Sequence, residues 1–189
     1  ILDIGNVTSS ATVQNLSGNS SGSVVLGSKT LNSTAANGTF AGVISGTGNL
    51  ILSSGTQTLT GANTYTGTTN ISGGYLAIGT GGNIANSSTV NISNAASTGL
   101  NLSTAATVNN LTGGGTTGGN INLGSNTLTA QGTGTTTFAG NISGAGNLTK
   151  AGTGTLTLSG TGNTYTGNTT INAGTLLLSG SGSIANSTN

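Results

Sequence analysis

The chain has no cysteine, proline, histidine, methionine, tryptophan, arginine or glutamate, and only Asp3, Lys29 and Lys150 carry charge. Each absence excludes something. Without cysteine there is no disulfide framework. With Asp3 as the sole carboxylate, paired-carboxylate glycoside hydrolysis is impossible within one chain. Serine and threonine abound, yet no His or Glu stands ready to activate one as a nucleophile. Calcium-binding solenoid repeats need a recurring Asp, which is missing. A net charge of +1 leaves no electrostatic footprint for nucleic acid or an anionic membrane surface. The longest aliphatic runs, Val24-Val25-Leu26, Leu50-Ile51-Leu52 and Leu176-Leu177-Leu178, fall far short of a spanning helix, so no membrane insertion is expected. The chain is therefore expected not to be an enzyme. It should hold no catalytic, cofactor-binding or metal-binding residues, and need no cofactor.

What is present is equally one-sided. Glycine contributes 36 of the 189 residues, and Gly, Ser, Thr and Asn together make roughly two-thirds of the chain, well above ordinary usage. Disordered tails share such composition, but they usually carry proline and high net charge. Here the mean hydropathy is +0.10, and Leu, Ile, Val and Ala come in short alternating bursts. An ordered chain is the better reading.

The sequence repeats itself. Phe40-Ala-Gly-Val-Ile-Ser-Gly-Thr-Gly-Asn-Leu50 recurs as Phe138-Ala-Gly-Asn-Ile-Ser-Gly-Ala-Gly-Asn-Leu148. Asn63-Thr-Tyr-Thr-Gly67 recurs at Asn163 to Gly167, and Asn83-Ile-Ala-Asn-Ser87 is echoed by Ser183-Ile-Ala-Asn-Ser187. Upstream, Ala11-Thr-Val matches Ala106-Thr-Val, and Leu26-Gly-Ser-Lys-Thr-Leu31 matches Leu123-Gly-Ser-Asn-Thr-Leu128. The chain thus reads as two copies of a unit of roughly 98 residues, 1–98 and 99–189, in one continuous solenoid. A shorter period lies inside each copy. Gly154-Thr-Leu-Thr-Leu-Ser-Gly160 reappears as Gly174-Thr-Leu-Leu-Leu-Ser-Gly180.

Local patterning is that of strands. Leu156-Thr-Leu158, Leu100-Asn-Leu102, Ile121-Asn-Leu123 and Val90-Asn-Ile92 alternate apolar with polar, which sends successive side chains to opposite faces. Gly, Asn and Ser punctuate every few residues, as sharp corners require. Strands this short cannot build a sandwich core, but stacked coils can pair above and below and join their apolar rows. The expected fold is all-β, a right-handed single-stranded parallel β-helix (β-solenoid) with about 20 residues per coil. Some nine coils would make a rod on the order of 45 Å long. Leu156, Leu158, Leu176 and Leu178 should point inward on adjacent coils. Gln57 stands where the second copy has Leu156 and is expected to be a weak spot.

Residues 138–179 resemble the autotransporter-associated β-strand repeat, also called the passenger-associated transport repeat. The resemblance is carried by the Phe138 motif quoted above, by its continuation Thr149-Lys-Ala-Gly-Thr-Gly-Thr-Leu-Thr-Leu-Ser-Gly160, and by Asn163-Thr-Tyr-Thr-Gly-Asn-Thr-Thr-Ile-Asn-Ala-Gly-Thr-Leu176. Residues 40–78 resemble it less closely, with Leu52 in place of Lys150 and Gln57 in place of Leu156. The resemblance implies a right-handed parallel β-helix in the passenger of a large secreted protein of Gram-negative bacteria. It implies a stalk that helps passengers cross the outer membrane and fold, and it assigns no catalytic residues here.

Individual residues read structurally. Lys150 shares the face of Leu148 and should lay its stem on the core while its ammonium reaches carbonyls or water. Lys29 sits beside a turn, solvated. Tyr65 and Tyr165 occupy matching loops and should fold back over the coil edge with wet hydroxyls, in preference to forming a sugar-stacking platform. Phe40 and Phe138 belong in the core. Gly113-Gly-Gly115 and Gly79-Thr-Gly-Gly82 lack the Lys-Ser/Thr of a phosphate loop and read as corner turns.

The leading functional expectation is a structural segment of a bacterial extracellular fibre, adhesin stalk or autotransporter-like passenger, located outside the cell or on its surface. The alternative is a Thr-rich flat face that binds ice or polysaccharide, through Thr58/Thr60, Thr127/Thr129 and Thr155/Thr157. Expected partners are further copies or flanking repeats stacked end to end, with host or surface glycans as a second possibility. Ile1 is not an initiator Met, Ile1-Leu-Asp-Ile4 is already strand-like, and Ser187-Thr-Asn189 breaks off in mid-pattern. The segment is therefore expected to be a piece of something longer.

Overall fold

A computed structural model describes residues 1–180 and 182–184, and every regular element among them is a β-strand. The chain winds as a β-solenoid of about 9 turns with roughly 20 residues per turn, presenting three faces visited in a fixed order. The first face holds β1 (Leu2–Asp3), β3 (Ser23–Val25), β6 (Val43–Ser45), β13 (Ala106–Val108), β16 (Thr127–Ala130), β19 (Asn147–Lys150) and β21 (Thr169–Ile171). The second is one nine-stranded sheet: β2 (Ala11–Val13), β4 (Thr30–Ser33), β7 (Asn49–Leu52), β9 (Thr69–Ile71), β11 (Thr89–Ile92), β14 (Asn110–Gly113), β17 (Thr135–Phe138), β20 (Thr155–Leu158) and β22 (Thr175–Leu178). The third holds β5 (Ala36–Phe40), β8 (Gly55–Leu59), β10 (Gly74–Ile78), β12 (Thr98–Leu102), β15 (Asn120–Asn122) and β18 (Ile142–Ser143). All the pairings are parallel. The echo at residues 183–187 lies partly, and the stretch 187–189 wholly, outside the described residues.

The alternation seen in the sequence fixes which side chains form the core. Leu31, Ile44, Leu59, Ile78, Val90, Leu100, Ile121 and Leu148 are all buried, while the polar residues between them point out. Leu156 pairs with Leu176 and Leu158 with Leu178, in register on adjacent coils. Leu156 and Leu158 are buried and Leu176 is half-buried. Leu178 remains 40% exposed, because β22 pairs on one side only among the described strands.

Corners explain the repeated motifs. In Ile-Ser-Gly, Gly46 and Gly144 have φ of 110° and 104°, and a Cβ on either would lie 2.7 or 2.8 Å from the backbone of the glycine one coil below. A side chain is excluded both by conformation and by space. In Gly-Asn-Leu, Asn49 Oδ1 accepts the N–H of Thr68 at 2.8 Å, and Asn147 Oδ1 accepts that of Asn168 at 2.8 Å, so each asparagine ties its corner to the next coil. Phe40 and Phe138 are buried, as expected.

The two copies do not stack face on face. β1 belongs to the first face, but its counterpart β12 lies on the third; β2 lies on the second and its counterpart β13 on the first. The cause is a count. Before β12 the first copy contributes the strands β1 to β11 and three ladder segments without strand geometry, residues 16–18, 62–65 and 83–87. Fourteen segments on a three-sided coil make four and two-thirds turns, so each copy is rotated by about a third of a turn. The sheets themselves run on without a break, since β12 pairs with β10 on one side and β15 on the other.

Candidate functional site

The three charged side chains lie far apart in the stack. Asp3, on β1, accepts the N–H of Gly5 at 2.8 Å. Lys29 is half-buried in the turn after β3. Lys150 ends β19, six coils further on, and is only 2% exposed. Its stem runs along the core and its ammonium donates to the carbonyls of Gly152, at 2.5 Å, and Ala173, at 3.5 Å, at the corner. Burial pushes the Lys150 ammonium below the usual lysine range. The snorkelling placement is the one found, and what the ammonium touches is backbone.

The Asn-Thr-Tyr-Thr-Gly loops are internal braces. Tyr65 and Tyr165 are each 1% exposed, folded back over the core as expected. Their hydroxyls are not wet, which corrects the sequence reading. Tyr65 Oη is 2.6 Å from Thr69 Oγ1, and Thr69 in turn donates to Ser87 Oγ at 2.9 Å. Tyr165 Oη is 2.6 Å from Thr169 Oγ1. Burial pushes the Tyr65 phenol up to about 12. A threonine four residues on pairs with each hydroxyl, and at Tyr65 that threonine is itself paired with Ser87 of the next coil, outside the loop. Both rings are therefore closed to a sugar.

Sequence reasoning also passed over Asn63 and Asn163. Asn63 Oδ1 accepts the N–H of Ile44 at 2.8 Å from one coil, while its Nδ2 donates to the carbonyl of Asn83 at 3.1 Å in another. Asn163 does the same with Ile142 and Ser183, both at 2.8 Å. The carboxamide stands in for a peptide where the loop leaves the ladder, so the stack stays bonded without a strand.

On the surface, the Thr-x-Thr pairs of the alternative reading, which share no coil register in the sequence, fall on three faces: Thr58 on β8, Thr127 on β16 and Thr155 on β20. A different row emerges instead. Thr107, Thr129, Thr149 and Thr170 stack in register up the first face. The counterparts in the first copy, Thr12, Asn32, Ile51 and Asn70, run up the second face with a single threonine. The glycine runs form tight corners, with Gly113 and Gly114 at positive φ and Gly82 N–H closing on Gly79 O at 2.8 Å.

Fold and surface together define a repetitive parallel β-solenoid whose recurrent residues are core and corner. Residues 53–78 and 148–178 match the passenger-associated-transport-repeat, so the chain carries this repeat in both of its copies. Each match spans the Asn-Thr-Tyr-Thr-Gly brace and the strands on either side of it. No curated protein and no solved structure matches the chain.

Proposed function

We propose that this chain is a non-catalytic structural segment of an autotransporter-type passenger, displayed outside a Gram-negative cell, where stacked coils supply length and rigidity to a fibre or adhesin stalk. The observation that carries this reading is the third-of-a-turn rotation between copies. Equivalent outward residues look in different directions, so duplication has not multiplied any one surface. What it has multiplied is the core, the corner glycines and the buried asparagine and tyrosine braces. The passenger-associated-transport-repeat matches support the secreted setting. We also propose that further coils, of the same polypeptide or of another copy, cover Leu178, whose partner Leu158 is fully buried one coil below.

The test is small-angle scattering of single, double and triple tandem fusions. A rod adds about 45 Å of maximum dimension per 189-residue chain at constant cross-section, from roughly 4.8 Å per coil. Growth with the square root of copy number would show a flexible string and overturn the reading.

A second reading is favoured by the Thr107, Thr129, Thr149 and Thr170 row, a regular array of hydroxyls and methyls on a flat sheet. Such a face suits a repeating lattice, ice or an ordered polysaccharide. Thermal hysteresis or pelleting with insoluble polysaccharide, abolished by Thr149→Lys, separates it from the first.

A further inference from the structure

Tyr75 is the one tyrosine that the fold leaves in the open. It is 36% exposed, whereas Tyr65 and Tyr165 are each 1%. It stands in an outward row of the third face with Asn37, Thr56, Gly99 and Asn120, none of them aromatic. In the second copy its place is taken by Thr175.

Three features turn this side chain into one wall of a groove. The next coil is enlarged: Leu76 pairs with Gln57 nineteen residues earlier but with Leu100 twenty-four residues later. Three of the five extra residues lie between Ile92 and Thr98; that loop runs beside Tyr75 and ends at Ser97, whose φ of 58° makes it the one non-glycine residue at positive φ among the described residues. Bent backbone of this kind persists where the surroundings enforce it, and it clusters at binding sites. The floor is bare, because Gly55 and Gly74 stack at φ of 82° and 75° with no room for a side chain. Finally, the ring leans on Gly99, where even a Cβ would lie 3.3 Å from two ring carbons. The result is an open groove of about 420 Å³ between Tyr75 and the Ala96-Ser97 loop, edged by Ser54 and Thr56.

We propose that this groove binds a neutral pyranoside chain. The groove is open along one side, which suits an extended chain that stays partly in water. An aromatic face with exposed hydroxyls beside it suits the alternating C–H and O–H surfaces of a sugar, and a tyrosine loses little conformational entropy on binding. No charged side chain lines the groove. An anionic glycan therefore has no counter-charge here, and a neutral one suffers no desolvated ion.

The test uses the intact chain with cellohexaose, maltohexaose and chitohexaose. With the other two tyrosines buried, protection from nitration reports on Tyr75 alone; all three tyrosines contribute to fluorescence in this tryptophan-free chain, so the Tyr75 signal is the part lost in Tyr75→Phe. At least one hexasaccharide should give saturable quenching and protection, with affinity measured by calorimetry. Tyr75→Thr, which copies the second copy, should weaken binding at least tenfold while the circular dichroism is unchanged; Tyr75→Phe should keep it within about threefold, since stacking is retained. Failure of all three sugars to bind overturns the proposal, and so does binding that survives Tyr75→Thr. Either result leaves the structural role of the rod intact.

Discussion

Gln57 Nε2 donates to the carbonyl of Leu16 at 2.9 Å, across 41 residues of sequence and two coils of the stack. It can do so because Gly38, directly below it in the ladder, has no side chain. The same nitrogen also donates to Gly38 O at 3.1 Å and Thr58 O at 3.2 Å, but Gln57 Oε1 is buried with no partner. The weak spot expected from the sequence is therefore half repaired. Gln57→Leu removes the orphaned oxygen and adds apolar packing, at the loss of the Leu16 bond and of the longer contacts to Gly38 and Thr58. A buried unmade bond costs about 1–3 kcal/mol either way, so the apolar gain decides the sign. A rise in thermal midpoint of about 2–4 °C is expected, corresponding to about 1 kcal/mol. A midpoint that stays or falls would show that the Leu16 bond outweighs the orphan.

Neighbouring leucines on the last pair of described coils should differ sharply in their tolerance of charge. Leu158 is 1% exposed and points inward; Leu177, on the strand stacked over it, is 47% exposed and points out. Leu158→Asp buries an unpaired carboxylate and should cost about 3–5 kcal/mol or unfold the adjoining coils. Leu177→Asp should stay within about 0.5 kcal/mol of wild type. Denaturation followed by circular dichroism distinguishes them, and equal effects would mean that the inward row is misassigned.

Much of this fold is legible in the sequence because it rests on local rules. The alternation Leu156-Thr-Leu158 and its echo at Leu176 state the face and the register at once, and Ile-Ser-Gly states the corner. What stays hidden depends on counting or on other coils. The rotation between copies hinges on three ladder segments with no strand pattern, one of them held by the Asn63 side chain. The hydroxyl chain from Tyr65 runs through Thr69 to Ser87 of the next coil, and the groove at Tyr75 depends on an enlargement in the coil after it. No window of sequence around either tyrosine contains those neighbours.

Two buried groups pull the pH dependence in opposite directions. The folded pKa of Lys150 lies below the ordinary 10.5, so the folded state binds fewer protons there, and stability rises with pH up to about that value. Tyr65 is raised from 10.0 to about 12, so its contribution is complete below pH 10 and is lost as pH climbs towards 12. Two units correspond to about 3 kcal/mol at most. Stability should therefore peak near pH 10. Lys150→Leu, copying Leu52 of the first copy, should flatten the rise, and Tyr65→Phe should flatten the fall. Chemical denaturation across pH 7 to 12 reads both. A profile that is flat, or that shifts the wrong limb in either variant, refutes the assignment.

The rotation between copies can be tested covalently at the junction where the first copy hands over to the second. If a repeat unit filled whole turns, Thr107, the counterpart of Thr12, would lie on the second face like Thr12 itself, stacked over Asn91. In the structure Thr107 lies on the first face, and the residue over Asn91 is Thr112, joined to it by a hydrogen bond from its hydroxyl at 3.1 Å. Adjacent parallel strands put such Cα atoms about 4.8 Å apart, within the span that a disulfide bridges. The native chain has no cysteine, so paired substitutions report cleanly. Asn91→Cys with Thr112→Cys should oxidise rapidly to an intramolecular disulfide, seen as a mobility shift on non-reducing gels. Asn91→Cys with Thr107→Cys should stay reduced, because the two thiols sit on different faces. The reverse pattern would place the copies in phase. Equivalent surfaces would then line up along the rod instead of being spread around it.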